Sequence, residues 1–107
     1  SLVFTFWWKP QVTAGSTQGV VPGLRTRDLI PASNISAWSA ATAMTAIPVT
    51  AAMGATAWQK STQTITLATL GLTAGRKEKF LLSRLVANAG DNYANVWTLL
   101  DFMVEVI

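Results

Sequence analysis

The side chains of this sequence that could act as general acids or bases are its five carboxylates, Asp28, Glu78, Asp91, Asp101 and Glu105. The chain has no His and no Cys, which removes imidazole bases, thiolate nucleophiles, disulfides and the usual zinc ligands. Carboxylate catalysis needs two acids in one cleft. Asp101 and Glu105 would lie about 13 Å apart on one strand, at ~3.3 Å per residue, which is too far. We therefore expect solvated surface acids and no catalytic residue.

Gly90-Asp91-Asn92 is the one local run that suggests a metal site. Calcium takes about six to eight oxygen ligands, and this run offers only one carboxylate and one amide. The more common role of such a run is a turn in which Asp and Asn bond their own backbone. We predict a turn, with no metal and no cofactor.

Five Trp residues are many for 107 residues, and an exposed indole can stack on a sugar or anchor a partner protein. In a strand, one ring of the Trp7-Trp8 pair must point inward and the other outward. Core packing accounts for some of the five. We name Trp8 and Trp38 as candidate ligand-stacking residues.

The elements that would position these groups are clearest in the last third of the chain. Two strand-like runs, Glu78–Val86 and Tyr93–Ile107, are separated by small and turn-forming residues, which predicts a hairpin. In the final strand the even positions are predicted to face the core: Val96, Leu100, Phe102, Val104 and Val106. The odd positions then face away and are too apolar for water, so either the missing N-terminal segment or another subunit covers them. We favour a subunit interface at Trp97, Leu99, Met103 and Ile107.

The remainder of the chain predicts one domain over residues 1–107. Leu2–Trp8 is β-branched or aromatic almost throughout and so predicts a strand, and because the chain opens on it, we expect an upstream piece to be missing. Leu29–Gln59 has no charge, but its prolines and small polar residues argue against membrane insertion. Within it we predict a helical turn over Ile35–Ala40, and Asn34-Ile35-Ser36 matches the glycosylation triplet.

The low density of charged residues argues against nucleic-acid binding by this surface. The net charge is +3, but only 12% of the residues are charged, and the one basic cluster, Arg76, Lys77 and Lys79, follows a turn glycine. We expect no nucleic acid among the partners and read the cluster as a solvated turn.

Several runs in the second half resemble one known class of domain. In order they are Thr64-Ile65-Thr66-Leu67, Leu72-Thr73-Ala74-Gly75, Phe80-Leu81-Leu82-Ser83-Arg84, Gly90-Asp91-Asn92-Tyr93 and Leu99 to Val106. Together they resemble the C-terminal half of the small jelly-roll domains found in structural proteins of tailed bacteriophages. The resemblance covers residues 40–107, and it departs from the pattern at Arg76, Leu81, Asn95 and Asp101.

This resemblance implies a part of the virion that assembles as a homotrimer. We predict an all-β, jelly-roll-like antiparallel β-sandwich that lacks its N-terminal strands and belongs to the C-terminal part of a longer chain. Its predicted role is a non-enzymatic capsid decoration subunit in contact with the major capsid protein. The alternative is a receptor- or carbohydrate-binding domain of a tail fibre, spike or baseplate, with a host-surface glycan as its ligand. A third hypothesis, a glycan hydrolase fragment, requires a cleft with paired carboxylates.

Overall fold

The computed structural model describes residues 1–29 and 37–107. The elements, in chain order, are β1 (Leu2–Pro10), β2 (Gln18–Val20), β3 (Pro22–Asp28), β4 (Thr42–Ala43), β5 (Ile47–Val49), β6 (Gln59–Ile65), α1 (Leu67–Leu70), β7 (Glu78–Arg84) and β8 (Trp97–Val106). The strand pairs that these elements form are antiparallel. This confirms the all-β class. The predicted helical turn over Ile35–Ala40 and the triplet at Asn34 fall wholly or partly outside the described residues.

Antiparallel sheets pack face to face around strand β1. The strand orders are β6-β1-β8, β4-β3-β7 and β2-β5. Alternate residues of β1 face inward, and Leu2, Phe4, Phe6 and Trp8 are buried. Phe4 meets Phe80 of the opposing sheet edge to face, with ring centroids 5.9 Å apart. Burying each such side chain stabilises the fold by about 1.5–3 kcal/mol. The sandwich class is therefore as predicted, and the jelly-roll connectivity stays a prediction.

The predicted hairpin between the last two strands is wrong. β7 pairs with β3 in one sheet, whereas β8 pairs with β1 in the other. The chain between them crosses the sandwich and is held there by Tyr93, which is buried. The Tyr93 hydroxyl donates to the backbone oxygen of Val12 (2.7 Å) and accepts from the Val12 N–H (3.1 Å). The turn-forming residues thus serve a connection between two sheets.

A bulge in β8 reverses which side chains face the core. The register with β1 runs Trp7 opposite Asp101 and then Trp8 opposite Leu99, so Leu100 is an extra residue. Phe102 packs against the core, as the even positions were predicted to do. The extra residue Leu100 is exposed. From Leu99 back to Trp97 the alternation is inverted, so these two odd positions lie opposite the buried Trp8 and Pro10. A bulge leaves no mark on the pattern of apolar residues, which is why simple alternation fails here.

One turn of helix, α1, follows β6. The Thr66 hydroxyl accepts a hydrogen bond from the Thr69 N–H (3.2 Å), which caps the helix start. Gly71 ends it with φ 67°, a conformation that glycine adopts without strain. Within residues 1–29 and 37–107, no helix has the length and apolar character needed to cross a membrane.

Candidate functional site

Strand β8 and the residues beside it contain most of the large apolar side chains that are exposed in the described part of the chain. It lies at the edge of its sheet, with β1 on one side and no described strand paired with the other. Six of its residues and close neighbours are between 37% and 83% exposed: Val96, Leu99, Leu100, Met103, Val106 and Ile107. An apolar edge strand of this kind marks a surface that another chain covers, or else an aggregation hazard.

The backbone of β8 also has polar groups available at this edge. Ser1 and Ile107 exchange both backbone hydrogen bonds (3.4 and 3.0 Å), which sets the phase of the β1–β8 ladder. By that phase the N–H and C=O of Phe102 and Val104 point away from β1. The Phe102 N–H is capped by the Asp101 carboxylate at 2.8 Å. A charged side chain and a bulge therefore limit pairing at one point, while Val104 stays available.

Three of the four predicted interface residues are exposed on β8 or directly after it, but Trp97 is not. Leu99, Met103 and Ile107 are exposed. The Trp97 ring packs on Trp8 at 5.6 Å between centroids, and its indole nitrogen is buried without a hydrogen-bond partner among the described residues. The prediction that Trp97 and Leu99 face away from the core is wrong, because the bulge turns both to the core side. Leu99 lies opposite Trp8, although it stays 37% exposed. That Leu99, Met103 and Ile107 form an interface stays a prediction.

The outer face of the same sheet has opposite charges at its two edges. Its residues are Val3, Thr5 and Trp7 on β1, Lys60, Thr62 and Thr64 on β6, and Asp101, Met103 and Glu105 on β8. The Lys60 ammonium lies 5.8 Å from the centroid of the Trp7 ring. The β6 edge is therefore basic on this face and the β8 edge acidic, with threonines, Trp7 and Met103 between them.

The two Trp residues predicted to stack on a ligand do not form an exposed aromatic platform. Trp8 is 0% exposed and donates its indole N–H to the Ser61 hydroxyl at 2.9 Å, so the prediction for Trp8 is wrong. The reason is its even position on β1, whose even residues form the core. The Arg27 guanidinium lies 4.3 Å above the Trp38 ring and covers one of its faces. Trp58, by contrast, is 45% exposed.

The Gly90-Asp91-Asn92 run connects the segment after β7 to residues of other strands by hydrogen bonds. Asp91 accepts hydrogen bonds from the Arg84 guanidinium (2.7 and 2.9 Å) and from the Val21 N–H (2.9 Å). Burial would raise the pKa of Asp91, but the bonds from Arg84 and Val21 and the charge of Arg84 outweigh it, so that pKa is lowered. Asn92 accepts from the Gly19 N–H at 2.7 Å. The oxygens that a cation would need are already engaged within the protein.

The prediction that Asp91 and Asn92 bond their own backbone is wrong. Asp91 bonds Val21, between β2 and β3, and Arg84 at the end of β7, whereas Asn92 bonds Gly19 in β2. The local backbone contact comes from Asn88, just before the run, whose side chain accepts from the Gly90 N–H at 2.9 Å. Among the described residues no group of three or more acids is placed to hold a metal ion.

Sequence reasoning missed one pair of carboxylates, Asp28 and Glu78. They are cross-strand neighbours at the ends of β3 and β7. Burial, a hydrogen bond with Asp28 and the charge of Asp28 raise the pKa of Glu78 to about 7, although Arg76 opposes this. Arg76 also forms an ion pair with Asp28 at 3.4 Å. The expectation that the acids are separate and solvated is wrong here, and only knowledge of the β3–β7 pairing would have revealed it.

An apolar cavity of about 380 Å³ adjoins this acid pair, at the end of the sandwich where β1 begins and β8 ends. Its walls include Leu2, Leu67, Leu72, Phe80, Val104 and Val106, with Glu78 and Arg76 at one side. The carboxyl oxygens of Glu78 are buried. With its pKa raised to about 7, Glu78 can hold a proton near neutral pH, which removes the charge repulsion between it and Asp28.

Comparison with protein-family models, curated proteins and solved structures finds no match to this chain. The functional conclusion therefore depends on the geometry and on the resemblance described above.

Proposed function

We propose that this protein is a non-enzymatic structural subunit of a tailed-bacteriophage virion, which acts by self-association through strand β8. The observation that carries the proposal is the edge position of β8 together with its exposed apolar side chains. A strand of this kind offers another chain both unpaired backbone groups and apolar side chains to cover. The resemblance to phage jelly-roll domains supplies the virion context and a trimer as the favoured assembly.

Within the virion, we place the domain on the capsid as a decoration subunit that contacts the major capsid protein. The fold supports this role with a rigid aromatic core and with exposed loops on either side of it. Residues 11–17 and the turn at Arg76 and Lys77 are largely exposed and would contact the shell. Contact area added in this way would hold neighbouring lattice sites together.

The alternative, a glycan-binding fibre or spike domain, has less support from the side chains. It relied on Trp8 and Trp38, of which one is buried and the other carries Arg27 on one face. A glycan array would test it directly. Saturable binding that Trp58→Ala or Trp38→Ala abolishes would favour the receptor role over the decoration role.

Sedimentation equilibrium of the purified chain tests self-association. We expect a trimer for the wild type, and a shift toward monomer for Leu100→Lys and for Met103→Lys, because each places a charge in the buried contact. The control is Val86→Lys, which changes a valine that is 70% exposed in the loop after β7. A monomeric wild type at high micromolar concentration, or equal loss with Val86→Lys, would contradict the proposal.

The virion context has its own test. Cryo-electron microscopy of the whole phage particle should locate this sandwich on the capsid surface. Density for it only in the tail would reject decoration while leaving the structural role, and its absence from the purified particle would reject both.

A further inference from the structure

We infer that in the self-assembled form strand β8 of one copy lies beside strand β6 of the next, with Asp101 facing the next copy's Lys60. This inference rests on the proposed self-association and identifies the surface that meets β8. The occupant is a second copy of this chain. Three properties of the two edge strands favour it: the heights of their residues along the sheet, the directions of their backbone N–H and C=O groups, and their charges.

Strand β1 lies between β6 and β8, so its pairing partners show which residues of the two edge strands lie at the same height. Trp7 is opposite both Lys60 and Asp101, and Thr5 is opposite both Thr62 and Met103. β6 and β8 therefore run in the same direction, with these residues at equal height. A cyclic assembly whose axis runs along the strands preserves both direction and height. In such a ring Asp101 reaches the next copy at the height of Lys60.

The backbone N–H and C=O groups that point outward at the two edges lie at the heights that a parallel strand pair requires. The inward-facing residues of β1 point their N–H and C=O groups toward β6, so Thr62 and Thr64 turn theirs to the outer edge of β6. At the outer edge of β8 the available residue is Val104. In a parallel ladder one residue bonds the two residues that flank its counterpart, and Val104 falls between the heights of Thr62 and Thr64. No shift along the strand is required.

Charge distinguishes this pairing from a symmetric one. β8 contains Asp101 and Glu105 on its outer face and no basic residue. Pairing two β8 strands would bring four carboxylates together with no cation, and like charges across a strand pair are destabilising. Pairing β8 with β6 sets Asp101 beside Lys60 and leaves Glu105 beside Thr64. Unlike edges that meet in this way form a head-to-tail contact, and a rotation of one third of a turn between copies closes that contact into a trimer.

The experiment is a charge exchange measured by sedimentation equilibrium. Asp101→Lys and Lys60→Asp should each weaken association at least about tenfold, because each faces a like charge across the contact. The double variant Asp101→Lys/Lys60→Asp should restore association. The control is Lys77→Asp, an exposed lysine away from both edges. Thermal unfolding of each variant verifies that it is folded.

The outcomes separate the inference from the proposed function. A monomeric wild type overturns both. An oligomer that neither single change weakens, or that the double exchange fails to restore, overturns the β8–β6 pairing and leaves self-association in place.

Disulfide trapping gives a second readout, since the native chain has no Cys. In the variant Asp101→Cys/Lys60→Cys, oxidation should produce covalent multimers. A bond within one copy is excluded, because the strands are two spacings of about 4.8 Å apart and a disulfide spans Cα atoms closer than about 7 Å. The control Asp101→Cys/Lys77→Cys should remain mostly uncrosslinked. Efficient dimers from Asp101→Cys alone would instead indicate symmetric β8 pairing and overturn the inference.

Discussion

Trp8 and Trp97 stack with ring centroids 5.6 Å apart and planes inclined by 32°. Trp97 also approaches Phe6 at 6.4 Å, so a residue of the edge strand joins the aromatic core. The bulge at Leu100 makes this contact possible because it inverts the alternation of β8 at that point. Trp97 therefore links the strand proposed for assembly to the interior of the domain.

Trp97→Ala should lower the free energy of unfolding by about 3 kcal/mol, because it leaves a cavity beside Trp8. Trp97→Phe should cost about 1 kcal/mol or less, since it retains a ring and removes an indole N–H that is buried without a partner. Chemical denaturation measures both. Trp58→Ala, at an exposed indole, is the control and should change stability by less than about 1 kcal/mol. Equal costs at Trp58 and Trp97 would contradict the inward position of Trp97.

The sequence was a good guide to where strands lie and a poor guide to how they pair. β-Branched and aromatic runs placed β1, β7 and β8 within a few residues, because side-chain alternation is a local property. Pairing is not local. The segment after Arg84 contains the turn residues of a hairpin, yet its contacts with Gly19, Val21 and Val12 direct the chain into the other sheet.

Arg84→Ala should destabilise the protein by about 3 kcal/mol, because it leaves the Asp91 carboxylate buried without its cation. Asp91→Ala should cost about 2 kcal/mol, because it removes the hydrogen bonds from Arg84 and leaves the Val21 N–H without its acceptor. The Asp91 carboxylate side chain is 2% exposed, and Arg84 also donates to the backbone oxygens of Tyr93 and Asn95. Urea denaturation at neutral pH measures the loss. The control is the exposed pair of Arg76 and Asp28, for which Arg76→Ala should cost less than about 1 kcal/mol. Similar losses of unfolding free energy at the two ion pairs would show that the Arg84–Asp91 pair does not stabilise the fold.

Stability should fall as pH rises from about 4.5 to 7, because Glu78 binds its proton more tightly in the folded chain. The folded state keeps the proton in this window while the unfolded state has lost it. The effect is fully present below the ordinary pKa of 4.5 and is lost as pH passes the folded value of about 7. We expect a change on the order of 1 kcal/mol, reduced by the partial exposure of the site.

Glu78→Gln isolates this effect because it keeps the shape of the side chain and removes the titration. The wild type minus Glu78→Gln difference in unfolding free energy should slope downward between pH 4.5 and 7 and be flat above. Thermal unfolding across that range measures it. A difference that rises with pH would mean that the pKa of Glu78 is lowered, contrary to its burial beside Asp28.

Some candidate sites can be predicted from the pattern of a single strand, whereas others depend on which strands pair. The outward position of Met103 follows from alternation and apolar character along one strand, whereas the position of Leu99 opposite Trp8 depends on the bulge. The Asp28–Glu78 pair does not, because its members are fifty residues apart and meet only through the β3–β7 ladder. The complementary edges at Lys60 and Asp101 likewise need both strands placed against β1.

Gly23→Ala should destabilise the fold through a contact with one side chain. A Cβ atom at Gly23 would lie 2.6–3.0 Å from the side-chain carbons of Leu85, which folds over the outer face of β3. We expect a loss of about 1–3 kcal/mol, since overpacking forces the leucine to move. Leu85→Ala removes those carbons, so in the double variant the effect of Gly23→Ala should shrink by at least about 1 kcal/mol. Gly15→Ala, with no atom within 4 Å of the added Cβ, is the control and should be neutral or slightly stabilising. Additive losses in the double variant would show that Leu85 does not restrict position 23, and that the chain after β7 leaves the sheet by another route.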